Sequence, residues 1–322
     1  MDTAPFKPAW WLPGPHAQTV WAALIRRSVK VPLRRERLEL PDGDFVDLDW
    51  TPASNQPLVT VFHGLEGSID SKYAVGIMAA IHRRGWRGVL MHFRGCSGSP
   101  NRLARTYHSG DTGDIGYLLD VLSRRARGRQ LAAVGFSLGG NALLKYLGER
   151  GRRALPVAAA VVSVPFDLDN AARRLEQGFS RFYQWYLLRK MRAKAAAKYG
   201  QSEAYPTAGE LNGLKTFRAF DDKVTAPVHG FADVDDYYGR CSSRQYLATV
   251  TVPTLLLHAA DDPFMTSEAI PEPSQLSNSV CLEVSRKGGH VGFVAGNIPG
   301  CAHYWLESRI IRFLDGYLGV NR

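Results

Sequence analysis

Cysteine is scarce in this chain, with four in 322 residues at Cys96, Cys241, Cys281 and Cys301. They are scattered, with no C-x-x-C pair and no histidine–cysteine cluster. That argues against a disulfide framework and a structural metal, and for a reducing compartment. Long apolar runs are missing too. None approaches the roughly 18 residues of a membrane span, and the N-terminus lacks a signal-peptide core. A cytoplasmic location is therefore expected. Internal repeats and low-complexity tracts are absent, as is any nucleic-acid module or interleaving of basic residues with stacking aromatics.

What is present suits a sizeable enzyme. Hydrophobic residues make up 45% of the chain, enough for a large core with one inserted subdomain. The net charge is +10, with arginine pairs at Arg26-Arg27, Arg34-Arg35, Arg124-Arg125 and Arg152-Arg153. These read as a solvated basic surface, and a weak peripheral attraction to anionic lipid is left open.

Residues 1–30 form an apolar arm containing Trp10, Trp11 and a helix-like run Thr19–Ile25, so they are expected to pack on a core. Glu36–Leu40 and Phe45–Trp50, split by Pro41-Asp42-Gly43, read as a hairpin at a sheet edge. From Leu58 the pattern alternates. Apolar runs at 58–62, 88–93, 131–134 and 157–164 read as strands, with helical periods at 73–84, 115–125 and after 141. That alternation predicts an α/β fold with a mostly parallel sheet and helices on both faces. It breaks over 167–250, where Phe179–Tyr199 and Asp233–Leu247 read as helices. It resumes with strands at 254–258 and 280–284 and a closing helix Tyr304–Leu318. The expected layout is a core of 31–166 and 251–322 with a helical cap insert at 167–250.

The chemistry starts at Gly135-Phe136-Ser137-Leu138-Gly139. Strand before and helix after make this G-x-S-x-G a nucleophile elbow, in which a tight turn projects the serine from the sheet edge. Downstream strand ends carry Asp261-Asp262-Pro263 and Gly288-Gly289-His290. Ser137, an aspartate and His290 thus follow the α/β-hydrolase order, on loops where open α/β sheets keep their chemistry. Asp262 is preferred over Asp261 because Pro263 biases the residue before it toward an extended backbone, whereas Asp261 is expected to face solvent or cap a turn. Asp167, after the preceding strand, is a further candidate. An oxyanion hole is expected from the amides of Leu138 and of Leu65 in His63-Gly64-Leu65-Glu66-Gly67. Cys96 has no dedicated base and reads as part of a turn.

Five segments resemble the YheT-like family of α/β-hydrolases. They are His63–Gly67, Arg94–Gly98, Tyr107-His108-Ser109-Gly110-Asp111, Gly135–Asn141 and Gly288–Phe293. Trp11–Thr19 also resembles the family's entry motif. The family includes yeast medium-chain ethyl ester synthase/esterases and mammalian abhydrolase-domain lipases. The resemblance implies a serine esterase carrying Ser137, Asp262 and His290, and no particular substrate. Its eukaryotic members carry a membrane anchor that has no counterpart here, so membrane-lipid hydrolysis does not follow. The expected reaction is acyl transfer from a small ester to water, without metal or organic cofactor. Phe182, Tyr183, Trp185 and Tyr186 are expected to line an apolar acyl pocket. The competing readings are transfer to an alcohol, a thioesterase or lipase of the same mechanism, and a hydrolase-fold protein that binds without turnover.

Overall fold

The computed structural model describes residues 5–126, 128–199 and 205–319. Residues 1–4 of the expected arm and 200–204 of the expected insert lie outside it. Eight strands form one sheet in the order β1-β2-β4-β3-β5-β6-β7-β8. They are β1 (Arg34–Glu39), β2 (Phe45–Trp50), β3 (Leu58–Phe62), β4 (Arg87–Met91), β5 (Leu131–Phe136), β6 (Ala158–Val162), β7 (Thr254–Ala259) and β8 (Val280–Ser285). The β1–β2 hairpin joins antiparallel at one edge, and β3 to β8 run parallel.

Period-two alternation divides each central strand between two layers. Val59, Val61, Leu90 and Val134 pack under α2 (Lys72–Arg83) and α11 (Trp305–Asp315). Leu58, Phe62, Val89 and Ala133 pack under α3 (Gly113–Ala126) and α4 (Leu138–Arg150). The chain enters β3, steps to β4 on one side, then crosses to β5 on the other. This makes β3/β5 the switch point, where their outgoing loops diverge and leave a crevice.

Between β6 and β7 the described chain is helical. It comprises α5 (Leu168–Leu175), α6 (Ser180–Tyr199), α7 (Ala208–Gly213), α8 (Phe217–Phe220), α9 (Ala226–Val228) and α10 (Val234–Cys241). Leu168, Tyr183, Leu188, Phe217, Phe220 and Tyr238 give these helices a core of their own. The helix read over 233–247 is broken at Ser242, whose hydroxyl bonds back to the Tyr238 carbonyl at 2.7 Å. Its backbone turns extended, and a 3₁₀ turn follows at Ser243–Thr249. The arm begins its helix earlier than expected: α1 spans Gly14–Val20, with Pro15 in its first turn supplying a preset φ. A π-helical turn, Trp21–Ile25, continues it. No helix among the described residues is long and apolar enough to cross a membrane.

Candidate active site

Ser137 sits between β5 and α4 at φ +49°, a conformation costly for any side chain. The turn is tight because its neighbours lack side chains. A Cβ at Gly135 would lie 2.7 Å from Gly140 Cα, and one at Gly139 would lie 2.4 Å from the His63 carbonyl. The Ser137 amide donates to Val162 O at 2.8 Å and pins the turn to β6.

His290 reaches the serine from the loop after β8. Its Nε2 lies 3.0 Å from Ser137 Oγ, and its Nδ1 lies 2.9 and 3.1 Å from the two Asp262 oxygens. With Nδ1–H directed at the carboxylate, Nε2 is left as the acceptor for the serine hydroxyl. Asp262 is buried, and burial alone would raise its carboxyl. The charge and hydrogen bond of His290 instead hold it below the ordinary carboxylate value. The Phe264 ring stacks on the imidazole, centroids 3.8 Å apart and planes within 5°.

The other two aspartates take different places. Asp261 does not face solvent. It is half-buried and accepts the Gly289 N–H at 3.0 Å, holding the loop that carries His290. Asp167 caps α5 by accepting the Asn170 N–H at 3.0 Å. The histidine loop is gripped from three further sides that the sequence did not disclose. Thr19 Oγ accepts the His290 N–H at 2.9 Å, Ser163 Oγ accepts the Val291 N–H at 3.0 Å, and Gln18 Oε1 accepts the Val294 N–H at 2.7 Å.

The loop after β3 is fastened on both sides of Leu65. The Gly64 N–H donates to Tyr73 Oη at 2.7 Å and the Glu66 N–H to Tyr107 Oη at 2.9 Å. Among the described residues, neither the Leu65 nor the Leu138 amide has a protein acceptor. Leu138 opens α4, where the first amides are unsatisfied by construction. His63 is structural. Its Nδ1–H donates to the Gly64 carbonyl at 2.7 Å, its Nε2 accepts the Phe93 N–H at 3.1 Å, and burial lowers it to about 3. Burial pushes the Cys96 thiol up to about 11, so it stays protonated. Among the described residues no group of three His, Cys, Asp or Glu side chains is placed to hold a metal ion.

Two cavities meet at Ser137 and His290. The narrower, about 750 Å³ including its mouth, is mostly apolar and lined by Leu168, Ala172, Leu175, Leu187, Met191 and Phe217. The wider, about 1420 Å³ with its mouth, lies between the arm and α6. Phe182, Tyr183 and Tyr186 line this wider cavity. Trp185 lines neither: it is half exposed, beneath the Arg189 guanidinium, because α6 turns positions 185 and 189 away from the face bearing 183 and 187.

Asp221, His108 and Tyr237 line the narrower cavity as well. Asp221 accepts from Thr225 Oγ1 at 2.6 Å and Tyr238 Oη at 2.7 Å, and burial pushes it up to about 6. Its unfolded carboxyl titrates near about 4. The folded state therefore binds the proton more tightly, and stability falls as pH rises between these values. Asp221→Asn should remove that slope and raise stability at pH 8 by on the order of 1–2 kcal/mol. Urea midpoints at pH 4.5 and 8 check this, and an unchanged slope would assign the loss to another group.

A sequence model of the alpha/beta hydrolase fold matches residues 57–296. The chain is 47% identical to the provisionally named esterase YheT of Escherichia coli (strain K12), over 98% of this chain and 95% of YheT. This chain is a YheT-like α/β-hydrolase. It is also 29% identical to Phospholipase ABHD3 of Mus musculus, over 92% of this chain and 75% of the mouse protein. Its fold superimposes on the esterase Pf2001 of Pyrococcus furiosus with a TM-score of 0.60, covering 99% and 100% of the two chains at 14% identity. In this hydrolase Asn141 joins three segments at the foot of the elbow. Its Nδ2 donates to Ser109 O and Cys241 O, both at 2.8 Å, and its Oδ1 accepts the Ser243 N–H at 3.0 Å.

Proposed function

We propose that this α/β-hydrolase is a serine carboxylic ester hydrolase acting on small esters with an apolar, short- to medium-chain acyl group. The observation that carries the reading is the hydrogen-bonded chain Ser137–His290–Asp262 at the junction of the two cavities. Ser137 Oγ attacks the ester carbonyl carbon while its proton passes to His290 Nε2. Asp262 orients the ring and stabilises the imidazolium. The Leu65 and Leu138 amides receive the oxyanion. Collapse expels the alcohol, which takes the proton from His290, leaving an acyl-Ser137. Water then gives a proton to His290, attacks the acyl carbon and releases the acid as the proton returns to Ser137.

The segment 167–250 serves in this reading as a cap over the core of 31–166 and 251–322, with the arm of residues 1–30 completing the site. Four free cysteines support a reducing, cytoplasmic setting. A fluorophosphonate probe tests the nucleophile. Wild type should be labelled at Ser137 by peptide mass spectrometry, and labelling elsewhere or none would overturn the assignment.

The narrower cavity is assigned to the acyl chain because its lining is mostly apolar. Each buried methylene contributes about 0.8 kcal/mol, so kcat/KM on p-nitrophenyl esters should rise roughly fourfold per carbon beyond acetate. It should then fall once the chain meets the polar wall at Asp221 and Tyr237. A series that peaks at acetate would remove the acyl assignment.

A further inference from the structure

Large apolar side chains stand in solvent around the mouth of the wider cavity, on two separate elements. Ala23 and Leu24 of the arm form one wall, and Phe182, Tyr186 and Lys190 of α6 form the other. Leu24 and Ile25 are 63% and 55% exposed, and Phe182 and Trp185 are 46% and 50% exposed. Phe179, Phe182 and Trp185 continue as a chain of ring contacts, each 5.8 Å between centroids. Burying this surface inside the fold is not what the sequence does with it.

The charge around these groups has one dominant sign. Arg27, Arg181 and Arg189 are exposed, and Lys72 and Lys190 line the cavity. Among the described residues none of the five forms a salt bridge, and Lys72 contacts only the Ser28 hydroxyl. Arg35, Arg37, Arg94 and Arg309 elsewhere are each held by a carboxylate. The acids on the cavity wall are Asp70 and Glu66, and Glu66 is already paired with Lys194 at 3.0 Å. The Arg189 guanidinium and the Lys190 ammonium lie 5.2 and 4.8 Å from the Trp185 and Tyr186 ring centres.

We propose that this rim docks the enzyme on an anionic lipid surface, with the cavity mouth facing the bilayer. Exposed Trp, Phe, Leu and Ile enter the headgroup boundary while Lys and Arg remain among the phosphates, the division of labour of an interfacial amphipathic element. Acidic lipid supplies the charge that the patch lacks, each nearby basic residue strengthening binding roughly fivefold. A protein partner fits less well, since Lys is depleted at the centres of protein interfaces. The proposal stands on this surface alone and does not need the esterase reading.

Sedimentation with vesicles of equimolar phosphatidylglycerol and phosphatidylcholine, against phosphatidylcholine alone, tests it. Ser137→Ala protein serves as well as wild type, so a failed catalytic assignment would leave this result untouched. Binding is expected to the anionic vesicles only, and to weaken steeply at about 0.5 M salt. The pair Ile25→Ser and Trp185→Ser should bind roughly tenfold more weakly, as should Arg181→Glu with Arg189→Glu. Neither Ile25 nor Trp185 lines either of the two cavities at Ser137, so turnover of a soluble ester should persist in that double variant and show that it folds. No binding to anionic vesicles would overturn the proposal. So would binding indifferent to the apolar pair, or retention on heparin without vesicle binding, which would assign the charge to a soluble polyanion.

Discussion

Ser137→Ala is expected to lower ester hydrolysis by on the order of 10⁶-fold, the loss seen when a serine protease loses its nucleophile. In the proposed mechanism this hydroxyl is the atom that bonds to the acyl carbon. Cys96 is buried and its thiol is pushed up to about 11, while Thr225 is tied to Asp221. The fold should survive the change. Alanine carries the same Cβ into the φ +49° turn, so the backbone strain is common to both proteins. What is lost besides catalysis is one hydrogen bond to His290 Nε2, at roughly 1 kcal/mol. Turnover above a few per cent of wild type, with unchanged circular dichroism, would end the serine mechanism.

The neighbouring aspartates give the second large effect. Asp262→Asn should cost about 10⁴-fold in kcat, because an amide facing His290 Nδ1 favours the wrong imidazole tautomer. Asp261→Asn should stay within roughly tenfold, since its amide oxygen can still accept the Gly289 N–H. The structure sharpens the contrast. Asp262 has both oxygens within 3.1 Å of the imidazole, whereas Asp261 accepts a hydrogen bond from the backbone of the loop. Asp261→Leu is then the informative third variant, because it removes the acceptor and should loosen the histidine without touching its partner. The comparison is kcat for all three on one activated ester. An Asp261→Asn enzyme as crippled as Asp262→Asn would mean the loop anchor and the acid had been exchanged.

The elbow and the order of the three candidate site residues were legible because their causes are local. A serine between glycines at the end of β5, and loops closing the parallel strands β7 and β8, leave patterns within a few residues. The cavity walls were not legible. Leu168, Ala172 and Leu175 belong to α5, and their meeting with Leu187 and Met191 of α6 is a matter of helix packing. Aromatic residues along α6 looked alike in sequence. The turn of that helix sends Tyr183 into the core and Trp185 into solvent. Phe264 stacks on His290 across 26 residues, and Thr19 reaches it across 271. Nothing near either residue in the chain announces the contact.

The grip of Thr19 and Gln18 on the histidine loop has a consequence for the nascent chain. The arm must hold a loop made 271 and 276 residues later. At ~5–20 residues per second, ribosomal synthesis separates the two by roughly 15 to 55 s. During that interval Ala9, Leu12 and Ala22 of the arm lack Val294 to pack against and leave apolar surface available to chaperones. Sheet strands can pair as they emerge, but the imidazole reaches the serine only after β8 has joined the edge and its loop has met the arm. In the proposed mechanism, hydrolytic competence would then appear only when the histidine loop meets the arm, so that the first turnover reports that contact rather than a folded sheet.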